Sequence, residues 1–180
     1  MDPGSDSKEI AHPMDVSGNV RPWSAWRRLG LLMVFIATLP FTWGETASCN
    51  GPSTAYTGYE QMTKESSSII AYVFIFGTPV LLGFGQYLVR PAWARLGFDF
   101  AATVVSAFGA FYCFLSAAIA GSLFTRTSRF YPAPWVATVA VFAMTVDAFL
   151  GAIHHLMTML LARRKRNAAV DRPPDPPADG

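Results

Sequence analysis

Residues 100–124 read FAATVVSAFGAFYCFLSAAIAGSLF, 25 consecutive residues without one charged side chain. A helix crosses the hydrocarbon core of a bilayer with about 20 apolar residues. This run therefore predicts a transmembrane helix and sets the class of the fold. Small residues recur along it at four-residue steps: Ala101, Gly109, Cys113, Ala117 and Gly121 on one ridge, Ala102, Ser106, Ala110, Ala118 and Ser122 on the next. No hydrophobic force draws helices together in lipid, so close packing of small residues decides which faces meet. Gly109, Cys113, Ala117 and Gly121 are thus expected as packing positions on a central helix. Cys113 reads as a small hydrophobe among them rather than as a reactive thiol.

Three further apolar runs lie to either side. Residues 69–89 end at Arg90 and Pro91, and residues 135–162 end at Arg163. The first run, Leu29 to Trp43, is 15 residues long and spans only if its helix extends back through Arg27 and Arg28. That extension is allowed because an arginine can lift its head group to the interface. All five tryptophans (23, 26, 43, 93 and 135) fall at run boundaries, where an indole keeps its ring buried and its N–H wet. The expected fold is all-α: an integral membrane protein with four transmembrane helices, at about 27–43, 69–89, 100–124 and 135–162, in an up-and-down bundle over 26–162. Short connections between the later spans make them antiparallel neighbours. A disordered cytoplasmic arm, 1–25, precedes the bundle. A basic, then proline-rich, cytoplasmic tail, 163–180, follows it, since proline cannot continue a helix.

Composition agrees. Charged residues are 14% of the chain and hydrophobic ones 52%, against about 25% charged in soluble domains. The Lys and Arg residues cluster at run ends instead of along one face of a domain, which excludes a nucleic-acid partner. Orientation follows from the same residues. With both termini cytoplasmic, eleven of the 14 Lys and Arg lie inside, leaving Lys64, Arg126 and Arg129 outside, as cytoplasmic enrichment of basic residues requires. The expected location is a plasma membrane, the inner one in a bacterium.

The outer loop 44–68 is long enough to carry function, and its Cys49 is a candidate contact with another chain. Arg27, Arg28, the first apolar run and Thr46-Ala47-Ser48-Cys49 follow the order of a lipoprotein signal cleaved at Cys49. Thr46 and Glu45 do not suit that cleavage, and the run is read as a retained span.

Chemistry concentrates in the last span, where Asp147, His154 and His155 interrupt an apolar helix. Ionisable groups at depth are costly and face a partner or a cavity. Steps of four and seven put Asp147, Gly151, His154 and His155 on one face, a candidate proton or ion relay. His155 lies roughly 12 Å from Arg163 along the helix and Asp147 roughly 24 Å. The structural alternative is hydrogen bonding to a neighbouring helix, for Asp147 through Ser106 or Tyr112. Adjacent histidines are about 100° apart and do not share one metal, and no cofactor is expected. Gln86 reads as polar glue between helices, and Asp99 as a cap at the start of the third span. No phosphate loop, zinc-protease motif or nucleophile elbow occurs. The expected function is that of a non-enzymatic accessory or scaffold component of a membrane complex, with the bilayer and other membrane proteins or itself as partners. The alternative is a small proton- or cation-translocating protein using the Asp147/His154/His155 face.

Overall fold

The computed structural model describes residues 23–46, 54–63, 66–119 and 130–170. In chain order these form α1 (Trp23–Thr38), a hairpin of β1 (Thr42–Thr46) and β2 (Thr54–Thr57), the short α2 (Gly58–Thr63), then α3 (Ser66–Leu88), α4 (Ala92–Ala118) and α5 (Pro132–Val170). Among the described residues, three helical stretches are long and apolar enough to cross a membrane: Ile69–Leu88, Ala92–Ala118 and Pro132–Ala168. At 1.5 Å per residue, the 16 residues of α1 reach about 24 Å, short of a core of about 30 Å.

Prolines set several boundaries. α1 stops two residues before Pro40, and the Thr38 hydroxyl bonds back to the Phe35 carbonyl at 2.7 Å. Pro91, at φ −70° and ψ 134°, precedes α4, and its carbonyl accepts the Ala94 N–H at 3.1 Å. α5 opens on Pro132, where the missing N–H has no helical role. Several boundaries differ from the sequence reading. The first span, expected over 27–43, is a helix only over Trp23–Thr38, and residues 42–46 pair with 54–57 as a hairpin, so the fold is mostly but not wholly helical. α4 begins at Ala92, not near 100, so Asp99 is a buried interior residue instead of a cap. α5 continues to Val170, so Arg163–Arg166 are helical and the tail starts later than residue 163.

The long helices form a ring in which each packs antiparallel to both neighbours. Phe35 stacks on Phe76 while Trp26 meets Phe84, which runs α1 against α3. Tyr72 meets Tyr112 and Gln86 meets Asp99, which runs α3 against α4. Phe114 meets Trp135 and Asp99 meets His155, which runs α4 against α5. Arg28 reaches Asp147 and closes α1 on α5. The α4–α5 interface is the most extensive. The buried face of α4 is Asp99, Ala102, Ser106, Gly109, Ala110, Cys113 and Ala117. This three-and-four spacing draws on both of the ridges seen in the sequence. A Cβ on Gly109 would come within 3.0 Å of Ile75 and Phe76 and 3.3 Å of Val141, so three helices converge there. Gly121 lies outside the described residues.

At the end of the ring where α1 finishes, the hairpin folds onto the helices. Its strands are antiparallel, with Gly44 opposite Tyr56 and an irregularity between Thr42 and Gly44. Trp43 turns inward at that irregularity, against the expectation of an interfacial tryptophan closing the first span. Its indole N–H donates to the Thr38 carbonyl at 3.0 Å, and its ring lies edge-on to Phe35. A Cβ on Gly58 would sit 2.6 Å from that indole, so glycine is required at this approach. Thr57 and Glu60 form a capping box for α2: the Thr57 N–H donates to Glu60 Oε2 at 2.7 Å, and the Glu60 N–H donates to Thr57 Oγ1 at 3.1 Å. Such boxes satisfy two otherwise unpaired donors at a helix start. Glu60→Ala is expected to lower local stability by about 1 kcal/mol. Amide exchange should then speed up at Thr57 while protected amides of α4 stay unchanged. Equal exchange at Thr57 would remove the box from the account.

Candidate functional site: an ionic network across the bundle

Arg28 sits in the second turn of α1 with its side chain 1% exposed. It points into the ring, not out to the interface as its place beside an apolar run led one to expect. Its Nη2 donates to Asp99 Oδ1 at 2.6 Å and its Nε to Asp147 Oδ2 at 3.1 Å. Asp147 also accepts from Arg27 Nη2 at 2.7 Å, and the Arg27 side chain is 57% exposed. Gln86 on α3 donates to the same Asp99 oxygen as Arg28. His155 Nε2 on α5 lies 3.5 Å from the other oxygen, Asp99 Oδ2. Each long helix thus contributes at least one polar group: Arg27 and Arg28, Gln86, Asp99, and Asp147 with His155. With His155 neutral, two guanidinium groups face two carboxylates and the formal charge is zero.

Glycines make the room. A Cβ on Gly151 would stand 2.6 Å from Asp99 Oδ2, so only a bare backbone lets α5 approach that carboxylate. A Cβ on Gly83 would meet Arg28 Cδ and Nη1 at 3.4 Å, and the guanidinium lies against this stretch of α3. Arg28 Nη1 is buried without a hydrogen-bond partner among the described residues.

The candidate relay residues separate on inspection. Asp147 and His155 both join the network, but through different members: Asp147 through the two arginines, His155 through Asp99. His154 is exposed, with its ring edge-on to His155 at 5.8 Å between centroids. Asp147 does not use Ser106 or Tyr112. Ser106 bonds to the Ala102 carbonyl of its own helix, and Tyr112 bonds to Tyr72. Gln86 does bridge helices, as a donor to a carboxylate. Sequence reasoning missed Arg28 and Asp99. The signal for Asp99 was available: it stands seven residues before Ser106 and fourteen before Cys113, on the buried face itself.

Chemically, the centre of the network is a permanent cation. Arginine is not deprotonated in proteins, so Arg28 separates Asp99 from Asp147 with a group that cannot receive and release a proton between them. Among the described residues no three His, Cys, Asp or Glu side chains gather as metal ligands. Cys49 lies outside the described residues. Compared with protein-family models, with curated proteins and with solved structures, the chain matches none.

Proposed function

We propose that this chain is a non-enzymatic component of a membrane complex, an accessory or scaffold subunit that acts through its helix faces and outer loop. In this reading α1 is a fourth, short span and both termini lie on the Arg163–Arg166 side. That side is the cytoplasm and the membrane is a plasma membrane, the inner one in a bacterium. The observation that carries the proposal is Arg28, held between Asp99 and Asp147 at 2.6 and 3.1 Å. Asp99 and the part-buried Asp147 both pair across helices, which supports a structural use of these carboxylates. Burial of charge is costly unless it is paired and hydrogen-bonded, and here the pairing is internal.

The second reading, proton or cation movement, keeps one supporting observation. His155 touches Asp99 and stands between it and the exposed His154, and a histidine can exchange protons near neutral pH. The two readings predict different results. Purification of the tagged chain in mild detergent is expected to bring down a stoichiometric membrane partner without visible absorbance. Liposomes bearing the purified chain are expected to show no pH-driven flux above protein-free liposomes, and Asp147→Asn to change stability alone. A partner-free chain whose flux disappears in Asp147→Asn would replace the first reading with the second.

A further inference from the structure

The four basic residues Arg163, Arg164, Lys165 and Arg166 follow one another within α5 and are all exposed. At 100° per residue they point to four sides of the helix, and they do so within a rise of about 4.5 Å. They make a collar, not a stripe. A helix lying along a surface shows its charges on one face, whereas a collar meets charge from every side at a single depth.

Three features give this collar its partner. From Trp135 to Arg163, α5 rises about 42 Å, which matches a bilayer of about 40–45 Å with its headgroups. The turn before the collar is apolar on all four sides: Met159, Leu160, Leu161 and Ala162 follow one another at 100° steps, and Leu160 and Leu161 are 52% and 59% exposed. Apolar on all sides and then basic on all sides is the profile of one lipid leaflet, acyl chains followed by phosphates. Finally, among the described residues the collar finds no free counterion at this end of the ring. Asp99 and Asp147, the described carboxylates at this end of the ring, are taken by Arg27, Arg28, Gln86 and His155. Residues 163–180 themselves carry five Lys or Arg to three Asp.

We propose that the Arg163–Arg166 collar is a binding site for anionic phospholipid headgroups, holding a ring of phosphodiesters around α5 where it leaves the bilayer. The site rests on the membrane reading above. Each basic residue beside an anionic surface contributes about 1 kcal/mol, roughly a fivefold preference. Spin-labelled phosphatidylglycerol and phosphatidylcholine in vesicles containing the full chain give the ratio of the two lipids at the protein surface. That ratio is expected to favour phosphatidylglycerol by about fivefold or more, to fall with added salt, and to approach one in R163Q/R164Q/K165Q/R166Q. These are exposed positions, and an unchanged helical spectrum confirms that the variant folds. A wild-type ratio near one overturns the site, as does a ratio that survives the fourfold substitution. Displacement of the labelled lipid by inorganic phosphate or a short oligonucleotide at matched ionic strength also overturns it. Release of the chain from vesicles by alkaline carbonate would instead sink the membrane reading, whatever the lipid ratio.

Discussion

Arg28→Met is expected to lose most of its folded, monodisperse protein in mild detergent. The substitution nearly preserves side-chain length and apolar stem, so packing along α1 changes little. What it removes is the cation that answers the buried Asp99 and the part-buried Asp147 on two other helices. Breaking a buried pair from one side costs about 3–5 kcal/mol, because the other charge stays buried without compensation. Here Asp99 keeps only Gln86 and His155, and Asp147 keeps the half-exposed Arg27. Total stabilities of domains are about 5–15 kcal/mol, so this loss consumes a large share of the margin. Replacing an entire ionic group with uncharged residues is often neutral. Arg28→Met combined with Asp99→Asn and Asp147→Asn is therefore expected to recover much of the yield. Unfolding titrations in mixed detergent read both variants. Wild-type stability in Arg28→Met would mean that the network contributes nothing to holding the ring.

Gly151→Ala is expected to destabilise by about 1–3 kcal/mol, the range for overpacking a tight interface. The new methyl would lie 2.6 Å from Asp99 Oδ2 and 3.0 Å from its Cγ. A free carboxylate could swing aside, but this one is held at its other oxygen by Arg28 and Gln86 from two different helices. Either α4 and α5 part along their most extensive interface, or the Arg28 bond lengthens. Gly77→Ala is the matched control, since nothing stands within 4 Å of a Cβ there. Glycine inside a helix costs about 0.5–1 kcal/mol relative to alanine, so the control should gain stability by that amount. The two substitutions thus differ in sign for one chemical change. Equal effects at both sites would show that the close approach of Gly151 to Asp99 is not what limits the α4–α5 distance.

How much of this was legible in the sequence depends on which force set each feature. Runs 69–89, 100–124 and 135–162 were readable because bilayer crossing is a demand on length and composition alone. Buried small residues were readable as well: Gly109, Cys113 and Ala117 sit on the buried face of α4 where their spacing put them. The start of α4 was not. Arg95 and Gly97 interrupt the apolar pattern, and a reading by hydropathy begins the span after them, although backbone hydrogen bonding begins directly past Pro91. Asp99 was mistaken for a cap through that single shift. Arg28 was misread for a deeper reason. One sequence shows that an arginine adjoins an apolar run, but whether it reaches outward to the interface or inward to carboxylates depends on residues 71 and 119 positions away. No local pattern encodes that choice. Trp43 was misplaced similarly, because its destination is set by the hairpin pairing and by the space at Gly58.

Those same separations bear on how the chain is made. Translation runs from the N-terminus, so α1 leaves the ribosome with Arg27 and Arg28 long before either carboxylate exists. At roughly 5–20 residues per second, the 119 positions from Arg28 to Asp147 take roughly 6–24 s to synthesise. Until Asp99 is made, 71 positions after Arg28, neither guanidinium of the 16-residue helix has its network partner, and Arg27 waits for Asp147 through the whole interval. Central insertion of an arginine costs about 2.5–3.5 kcal/mol by itself. Of the four long helices, the one synthesised first is accordingly the last to be fully paired. If α1 spans as proposed, it waits at the membrane surface until α4 and α5 arrive. On that proposal the order of assembly is set by charge, and a ribosome that stalls before Asp147 leaves Arg27 without its carboxylate and the ring open between α1 and α5.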